Sequence, residues 1–115
     1  MKKPDRIRVL IVDDHKIFRQ GLRALLEGER DIKIVGESSN TAELMDSLTD
    51  VTPDVIVMDI SMPGLSGLQA TRMVKSNNPS IRVLILSMSG DEETVEQAIQ
   101  VGVDGFLVKE TAASE

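Results

Sequence analysis

The chain has 115 residues, a formal charge of −6 at pH 7, and no cysteine, tryptophan or tyrosine. That length fits one compact domain, and the lack of cysteine excludes disulfides, thiolate metal sites and thiol nucleophiles while suiting a reducing compartment. The negative balance opposes wrapping a nucleic-acid backbone, and two aromatic residues, Phe18 and Phe106, cannot build base-stacking platforms or aromatic cation cages.

Ile7–Val12 is the first of five short runs rich in Ile and Val. They are nearly continuous rather than alternating, the pattern of strands covered on both faces. This run ends on Asp13 and Asp14. Phe18, Leu22, Leu25 and Leu26 then recur at i, i+4, i+7 and i+8, tracing one apolar stripe of a helix that Gly28 is placed to end. After the second strand, residues 32–35, Asn40 and Glu43 have the spacing of a capping box ahead of a stripe at Leu44, Leu48 and Val51. The third strand, residues 54–58, ends on Asp59. Pro63-Gly64 forces a turn, and a weaker helix over 68–75 has Ala70, Met73 and Val74 as its expected buried face. The fourth strand, residues 81–86, leads to Ser87. Asp91 is placed as the N-cap of a helix whose stripe is Val95, Ala98, Ile99 and Gly102, with Gly102 also placed to end it. The fifth strand, residues 105–108, ends on Lys109. Thr111–Ser114 reads as the opening of a fifth helix cut short at Glu115, so the chain reads as a fragment of something longer. No apolar stretch reaches the roughly 18 residues of a membrane span, and Met1-Lys2-Lys3 leads into a strand-length run rather than a signal-peptide core.

Alternating strand and helix select an α/β sandwich of three layers with a mostly parallel sheet and right-handed crossovers. With five strands the flavodoxin-like order 2-1-3-4-5 is expected, and its switch point falls between the first and third strands. Strands that run parallel bring their carboxyl ends together, so Asp13, Asp14, Asp59, Ser87 and Lys109 are expected around one cleft. Like charges held together in a crevice repel unless a cation joins them. Oxygen donors without a His or Cys cluster point to Mg²⁺. Asp59 at a strand end is a candidate nucleophile towards phosphorus, forming an acyl phosphate. Ser87 and Lys109 would then supply a hydroxyl and a fixed positive charge for the phosphoryl oxygens. The three carboxylates are balanced by Lys109 together with a divalent cation.

Each residue also has a structural alternative. Asp13-Asp14 can serve as a helix-start cap, Asp59 as a loop carboxylate satisfied by backbone amides, Ser87 as a strand-end hydroxyl bonded to the main chain, and Lys109 as a solvated side chain. His15 is the only histidine and reads as a first-turn helix residue without a catalytic role. Phe106 is expected to be half-buried on an outer strand, its rotamer following Ser87. Met58, Met62 and Met88 read as core filler or, alternatively, a plastic partner surface.

Val12-Asp13-Asp14-His15, the Asp59–Gly67 loop with Met62-Pro63-Gly64, Leu86-Ser87-Met88 and the run Gly102–Lys109 stand in the order found in receiver domains of two-component response regulators, which the whole chain resembles. Asp13-Asp14-His15 with Phe18-Arg19-Gln20-Gly21-Leu22 further resembles the NarL/FixJ (LuxR-type) subfamily. The resemblance implies the same strand order. It implies a cytoplasmic, phosphorylation-dependent switch whose residues 1–115 form the receiver, with a C-terminal helix-turn-helix DNA-binding output domain absent from these residues. A sensor histidine kinase would donate a phosphoryl group to Asp59. Asp14, Asp59 and the backbone carbonyl of Ser61 would hold Mg²⁺, with Asp13 acting largely through water. Ser87 and Phe106 would form the switch pair, Lys109 would bind the phosphoryl group, and the surface of the fourth helix and fifth strand would shift, with a homodimer among the outcomes. On this view the domain assists its own phosphorylation and is not a turnover enzyme. It departs from the family in Glu110, where proline often follows the lysine, and in the bulk of Met88. A Mg²⁺-dependent aspartyl-phosphate phosphatase, a flavin or nucleotide carrier and a phosphorylation-independent protein-binding receiver are the alternatives. Ser61 stands where the phosphatases carry a second acid, and the phosphate loop of a carrier is missing after the first strand.

Overall fold

The first apolar run forms β1 (Ile7–Val12), and its alternate residues enter opposite faces: Leu10 and Val12 join one buried cluster, Val9 and Ile11 another. Side chains on a strand alternate with a period of two, so an uninterrupted apolar run is what a strand covered on both faces requires. The computed structural model describes residues 6–109. It continues with α1 (Lys16–Glu27), β2 (Ile32–Ser38), α2 (Thr41–Ser47), β3 (Val55–Asp59), α3 (Gly67–Asn77), β4 (Arg82–Ser87), α4 (Glu92–Val101) and β5 (Gly105–Val108). The expected helix at Thr111–Ser114 and the bond between Lys109 and Glu110 lie outside the described residues. No helix among the described residues is long and apolar enough to cross a membrane.

All strand pairs are parallel and the order is β2-β1-β3-β4-β5, as expected. The register explains the position of the site. Val12 lies opposite Met58, and Ser87 lies opposite Val108. Asp13 and Asp59 therefore follow their strands at one level, and Lys109 leaves β5 one step beyond Ser87. On one face α2 and α3 contribute Leu44, Ala70 and Val74 to a core with Leu10, Val12, Ile56, Met58, Val83 and Ile85. On the other, Phe18, Leu22 and Leu26 of α1 cover Val9, Ile11, Val57 and Leu86. At about 25 cal/mol per Å² of apolar surface removed from water, each fully buried Leu or Ile contributes roughly 1.5–3 kcal/mol.

Three expected core residues lie at the surface: Leu25 is 66% exposed, Met73 38% and Ile99 68%. Each belongs to a consecutive apolar pair, and helical residues turn by about 100° per position, so both cannot face the sheet. Leu26 packs inward in place of Leu25, Val74 in place of Met73 and Ala98 in place of Ile99. The strand ends also shift. β2 extends past Val35 to Ser38, β3 starts at Val55 rather than Asp54, and β4 runs from Arg82 to Ser87, so Ser87 lies within the strand.

The caps follow their chemistry with one exception. Asp91 accepts the Thr94 N–H at 2.8 Å and Asn40 accepts that of Glu43 at 2.8 Å. Glu43, however, takes the N–H of Ser39 at 2.7 Å rather than that of Asn40, so the box is not reciprocal. The reciprocal box is at α3, where Ser66 Oγ accepts from Gln69 N and Gln69 Oε1 accepts from Ser66 N. Gly102 ends α4 at φ 89°, whereas Gly28 ends α1 in an ordinary right-handed conformation at φ −72°. Met58 and Met62 are core residues and Met88 is 69% exposed.

Candidate functional site

Asp13 carries the line of β1 one residue further, its N–H donating to the Ser38 carbonyl at 3.0 Å. The side chain is fully buried. Its Oδ1 accepts the His15 N–H at 2.8 Å, which turns the chain into α1. The cap position of α1 is His15, which makes no side-chain cap bond, so the expected capping by Asp13-Asp14 reduces to this turn. The Asp13 carbonyl accepts from the Arg19 guanidinium at 2.5 Å. Arg19 in turn donates to Glu37 of β2 at 2.8 Å, and Arg23 reaches the other Glu37 oxygen. The Arg23 hydrogen bond, ahead of that from Arg19, holds the Glu37 carboxyl below its ordinary range. Charge-assisted pairs of this kind fix geometry as well as contributing energy.

Asp59, the last residue of β3, is 1% exposed. Its Oδ1 accepts the Ser61 N–H at 3.2 Å. The loop that follows is closed by Gly67 N donating to the Ile60 carbonyl at 2.8 Å and by Met62, which is buried in the core. Gly67 is required by close approach: a Cβ there would lie 2.4 Å from the Asp59 carbonyl oxygen. Burial, the largest influence, pushes the Asp59 carboxyl up. The bond from Ser61 opposes it, Asp13 adds to it by charge, and Lys109 pulls it back.

Lys109 is 4% exposed, so the reading of it as a solvated side chain is excluded. Its Nζ stands 3.0 Å from Asp13 Oδ2 and 3.3 Å from Asp59 Oδ2. It also lies 3.1 Å from His15 Nδ1 and 4.6 Å over the Phe18 ring. The chain lacks a full aromatic cage, yet one ring does face the site's cation, an attraction worth on the order of 1–2 kcal/mol where water is partly excluded. Although Lys109 is within ion-pair distance, Asp13 Oδ2 and Asp59 Oδ2 are buried and have no hydrogen bond of proper geometry. Ion pairing is tolerant of angle and hydrogen bonding is not, so these two oxygens keep unused acceptor capacity. Asp14 is the more open carboxylate, its side chain 30% exposed.

Ser87 is buried, but its hydroxyl is engaged locally, donating to the Ser89 carbonyl at 2.8 Å and accepting the Ser89 N–H at 3.1 Å. Its main-chain-bonded alternative is thus realised in this state. Phe106 is partly buried on the edge strand and packs against the core that contains Ile85, its partner across β4 and β5. Ser87 and Ile85 are two apart, so Ser87 and Phe106 share a face of the sheet.

The structure brings together Asp13, Asp14, Asp59 and Lys109, and it adds His15, which the sequence reading set aside. His15 Nδ1 lies 3.2 Å from Asp13 Oδ1, 3.5 Å from Asp14 Oδ1 and 3.8 Å from Asp59 Oδ2. One donor atom from each of Asp13, Asp14, His15 and Asp59 falls within a 4.8 Å cluster. Arg19, Phe18 and Ser89 support this cluster; Phe18 reads from the sequence as a stripe residue and Arg19 only as part of the subfamily resemblance. Arg19 and Phe18 lie on the face of α1 turned to the sheet, a position readable only as packing, and Ser89 acts through its main chain, which no residue type signals. A cleft of carboxylates in which two buried oxygens pair only with one amine and accept no hydrogen bond fits a divalent cation and a phosphoryl group.

Residues 9–115 match the family model of the response regulator receiver domain. The transcriptional regulatory protein DegU of Brevibacillus brevis is 35% identical over 109 residues, covering 95% of this chain and 46% of that protein. The response regulator protein VraR of Staphylococcus aureus is 36% identical, with 95% and 52% covered. The chain therefore spans about half the length of the curated relatives it matches. Among solved structures, the signal receiver domain of the response regulator NarL from Mycobacterium tuberculosis superimposes with a TM-score of 0.87 at 36% identity, covering 92% of this chain and 86% of that one. RcsB of Salmonella typhimurium gives 0.88 at 27% identity, with 95% and 55% covered.

Proposed function

The chain belongs to the response regulator receiver family, and from that premise we propose that Asp59 is its phosphoacceptor. The observation that carries this reading is that the buried carboxylate oxygens of Asp13 and Asp59 accept no hydrogen bond and share a single ion-pair partner, Lys109.

An Asp59 oxygen attacks phosphorus on a phosphohistidine of a sensor histidine kinase, an acyl phosphate bond forms, and the P–N bond breaks with the electron pair leaving on the kinase imidazole. Asp14, Asp59 and the Ser61 backbone carbonyl would hold Mg²⁺, with Asp13 beside them. When bound, the ion neutralises charge on the transferring group. Lys109 stands 3.3 Å from the reacting carboxylate and draws a phosphoryl oxygen by charge. Ser87 leaves Ser89 and donates its hydroxyl to another oxygen, and Phe106, on the same sheet face, follows into the space released. The surface of α4 and β5 then favours a different partner contact, which is a population shift driven by the phosphoryl group's preference for one state.

In the whole protein the partner is a C-terminal helix-turn-helix domain that binds DNA, directly or through a homodimer, and the protein is cytoplasmic. The description of DegU as a transcriptional regulatory protein and of RcsB by its DNA interaction, with DegU, VraR and RcsB each about twice this length, supports that reading. Receiver domains of transcriptional response regulators are generally not turnover enzymes, and here the chemistry serves the chain's own phosphorylation.

The test is transfer of labelled phosphoryl from a small acyl phosphate or a phosphorylated histidine kinase, with and without Mg²⁺. Wild type takes the label in acid-stable but base-labile form, and Asp59→Asn does not. Retention of wild-type label by Asp59→Asn would refute the assignment.

A further inference from the structure

Resting on the divalent-cation reading above, we infer that the His15 imidazole is a further donor of the same pocket and widens its preference to borderline cations of the Mn²⁺ to Zn²⁺ series. Three observations converge on it.

The first is spacing. Two donors that share one ion at bond lengths of about 2.0–2.1 Å lie about 3.0–3.4 Å apart, the range set by octahedral and tetrahedral arrangements. His15 Nδ1 stands 3.2 Å from Asp13 Oδ1 and 3.5 Å from Asp14 Oδ1, with Asp59 Oδ2 at 3.8 Å. These are distances of a nearly formed donor set.

The second is the state of the donors. Asp13 Oδ2 and Asp59 Oδ2 are buried without hydrogen bonds. Asp13 Oδ1 already accepts the main-chain N–H of His15 at 2.8 Å, so it has less need of a proton from the ring. Lys109 Nζ, 3.1 Å from Nδ1, brings three donors and no acceptor. In the tautomer protonated at Nε2, Nδ1 accepts from this ammonium and carries the lone pair that a metal ion requires.

The third is ligand chemistry. Carboxylates alone suit Mg²⁺, which keeps its waters, whereas imidazole suits Co²⁺, Ni²⁺, Cu²⁺ and Zn²⁺. Adding one nitrogen to three carboxylates raises affinity along that series and leaves Mg²⁺ nearly indifferent. The ring is well placed to take part because its outer edge is open, 62% of the side chain being exposed, while its backbone is pinned by Asp13.

The experiment is calorimetric titration of the chain with Co²⁺ and with Mg²⁺, in wild type, His15→Gln, Asp14→Asn and Asp59→Asn. It is accompanied by the ¹⁵N spectrum of the single imidazole during Zn²⁺ addition. His15→Gln should weaken Co²⁺ about tenfold or more, a typical cost of disturbing a metal's ligand environment. Mg²⁺ affinity should stay within about twofold in the same variant, and wild-type Nδ1 should shift on Zn²⁺ binding while Nε2 keeps its proton. Unchanged Co²⁺ affinity in His15→Gln overturns the inference, as does an equal loss for both ions, which would mean that the ring acts on the pocket rather than on the ion. Loss of Co²⁺ in His15→Gln with no loss in Asp14→Asn or Asp59→Asn places the ion on the histidine alone and also overturns it. If neither aspartate variant weakens Mg²⁺, the pocket reading itself fails, which is a different result from failure of His15.

Discussion

Replacing Gly67 by alanine offers a sharp test of how the Asp59 loop is held. The added Cβ would sit 2.4 Å from the Asp59 carbonyl oxygen, 2.9 Å from Ile60 Cα and 3.1 Å from the Asp59 carbonyl carbon, all main-chain atoms. Real Cβ atoms essentially never come closer than 3.0 Å, so α3 or the end of β3 must move. Side chains could yield by rotating, but this backbone is tied on both sides, by Gly67 N to the Ile60 carbonyl and by Ile60 N to Leu86 O, each at 2.8 Å. Overpacking costs about 1–3 kcal/mol, and alanine returns up to about 1 kcal/mol of helix propensity. Because every close atom is main chain the upper end of that cost applies, so a net loss of about 2 kcal/mol is expected, or roughly 8–12 °C in Tm for a domain of this size. Urea unfolding followed by far-UV circular dichroism measures it, since a chain without tryptophan or tyrosine gives little fluorescence. Gly21→Ala is the paired control. Gly21 lies within α1, where an added Cβ would meet no other atom within 4 Å, and the change should stabilise by about 0.5–1 kcal/mol. Gly67→Ala within about 0.5 kcal/mol of wild type would refute the claim that close approach, rather than chance, put glycine there.

Asp59 also makes stability depend on pH. Its carboxyl is raised above the ordinary value chiefly by burial, so the folded chain binds a proton more tightly than the unfolded chain. Stability therefore falls as pH rises from the ordinary aspartate range through the higher folded value. In chelator, Asp59→Asn should remove that slope and be more stable than wild type at pH 7, as read from urea midpoints between pH 4 and 8; an unchanged slope would contradict the cause assigned. A divalent cation at ten times its Kd should stabilise wild type by about 1.4 kcal/mol, and Asp14→Asn should lose most of that gain in a thermal melt. Ser87→Ala gives up both bonds to Ser89 and should cost about 1–3 kcal/mol. It should still accept phosphoryl on Asp59 but change the α4 and β5 amide resonances less on phosphorylation, and a full wild-type response would remove Ser87 from the switch.

The fold was legible because the signals were redundant. Continuous apolar runs of strand length, β-branched residues and turn residues agreed at each strand, so the sheet and the convergence of Asp13, Asp59 and Lys109 followed from strand ends. What stayed illegible were choices between equivalents. Leu25 or Leu26, Met73 or Val74, and Ile99 or Ala98 have the same hydrophobic signal, and only the direction from which the sheet approaches decides between them. The contacts of His15 were illegible for a related reason: its type and number named no partner, and two of its partners come from β3 and the residue after β5, 44 and 94 positions away. Ser89 left no trace because it acts through its peptide group.

The resting geometry bears on why one modification suffices to move such a domain. Ser87 must surrender two neutral hydrogen bonds, each worth about 0.5–1.5 kcal/mol, and gains one charged acceptor worth about 1.5–3 kcal/mol. The exchange is nearly balanced, so Ser87 alone cannot supply the roughly 5.5 kcal/mol that takes a two-state equilibrium from 1:99 to 99:1. On the proposed reading Lys109, beside the divalent cation, supplies part of the remainder. It is shared between Asp13 at 3.0 Å and Asp59 at 3.3 Å, and phosphorylation of Asp59 gives it a doubly charged partner in place of a carboxylate while leaving Asp13 in reach. A lysine already buried in the cleft has met most of its desolvation cost before the phosphoryl group arrives. The added attraction can then bias the α4 and β5 surface instead of being consumed in burying the amine.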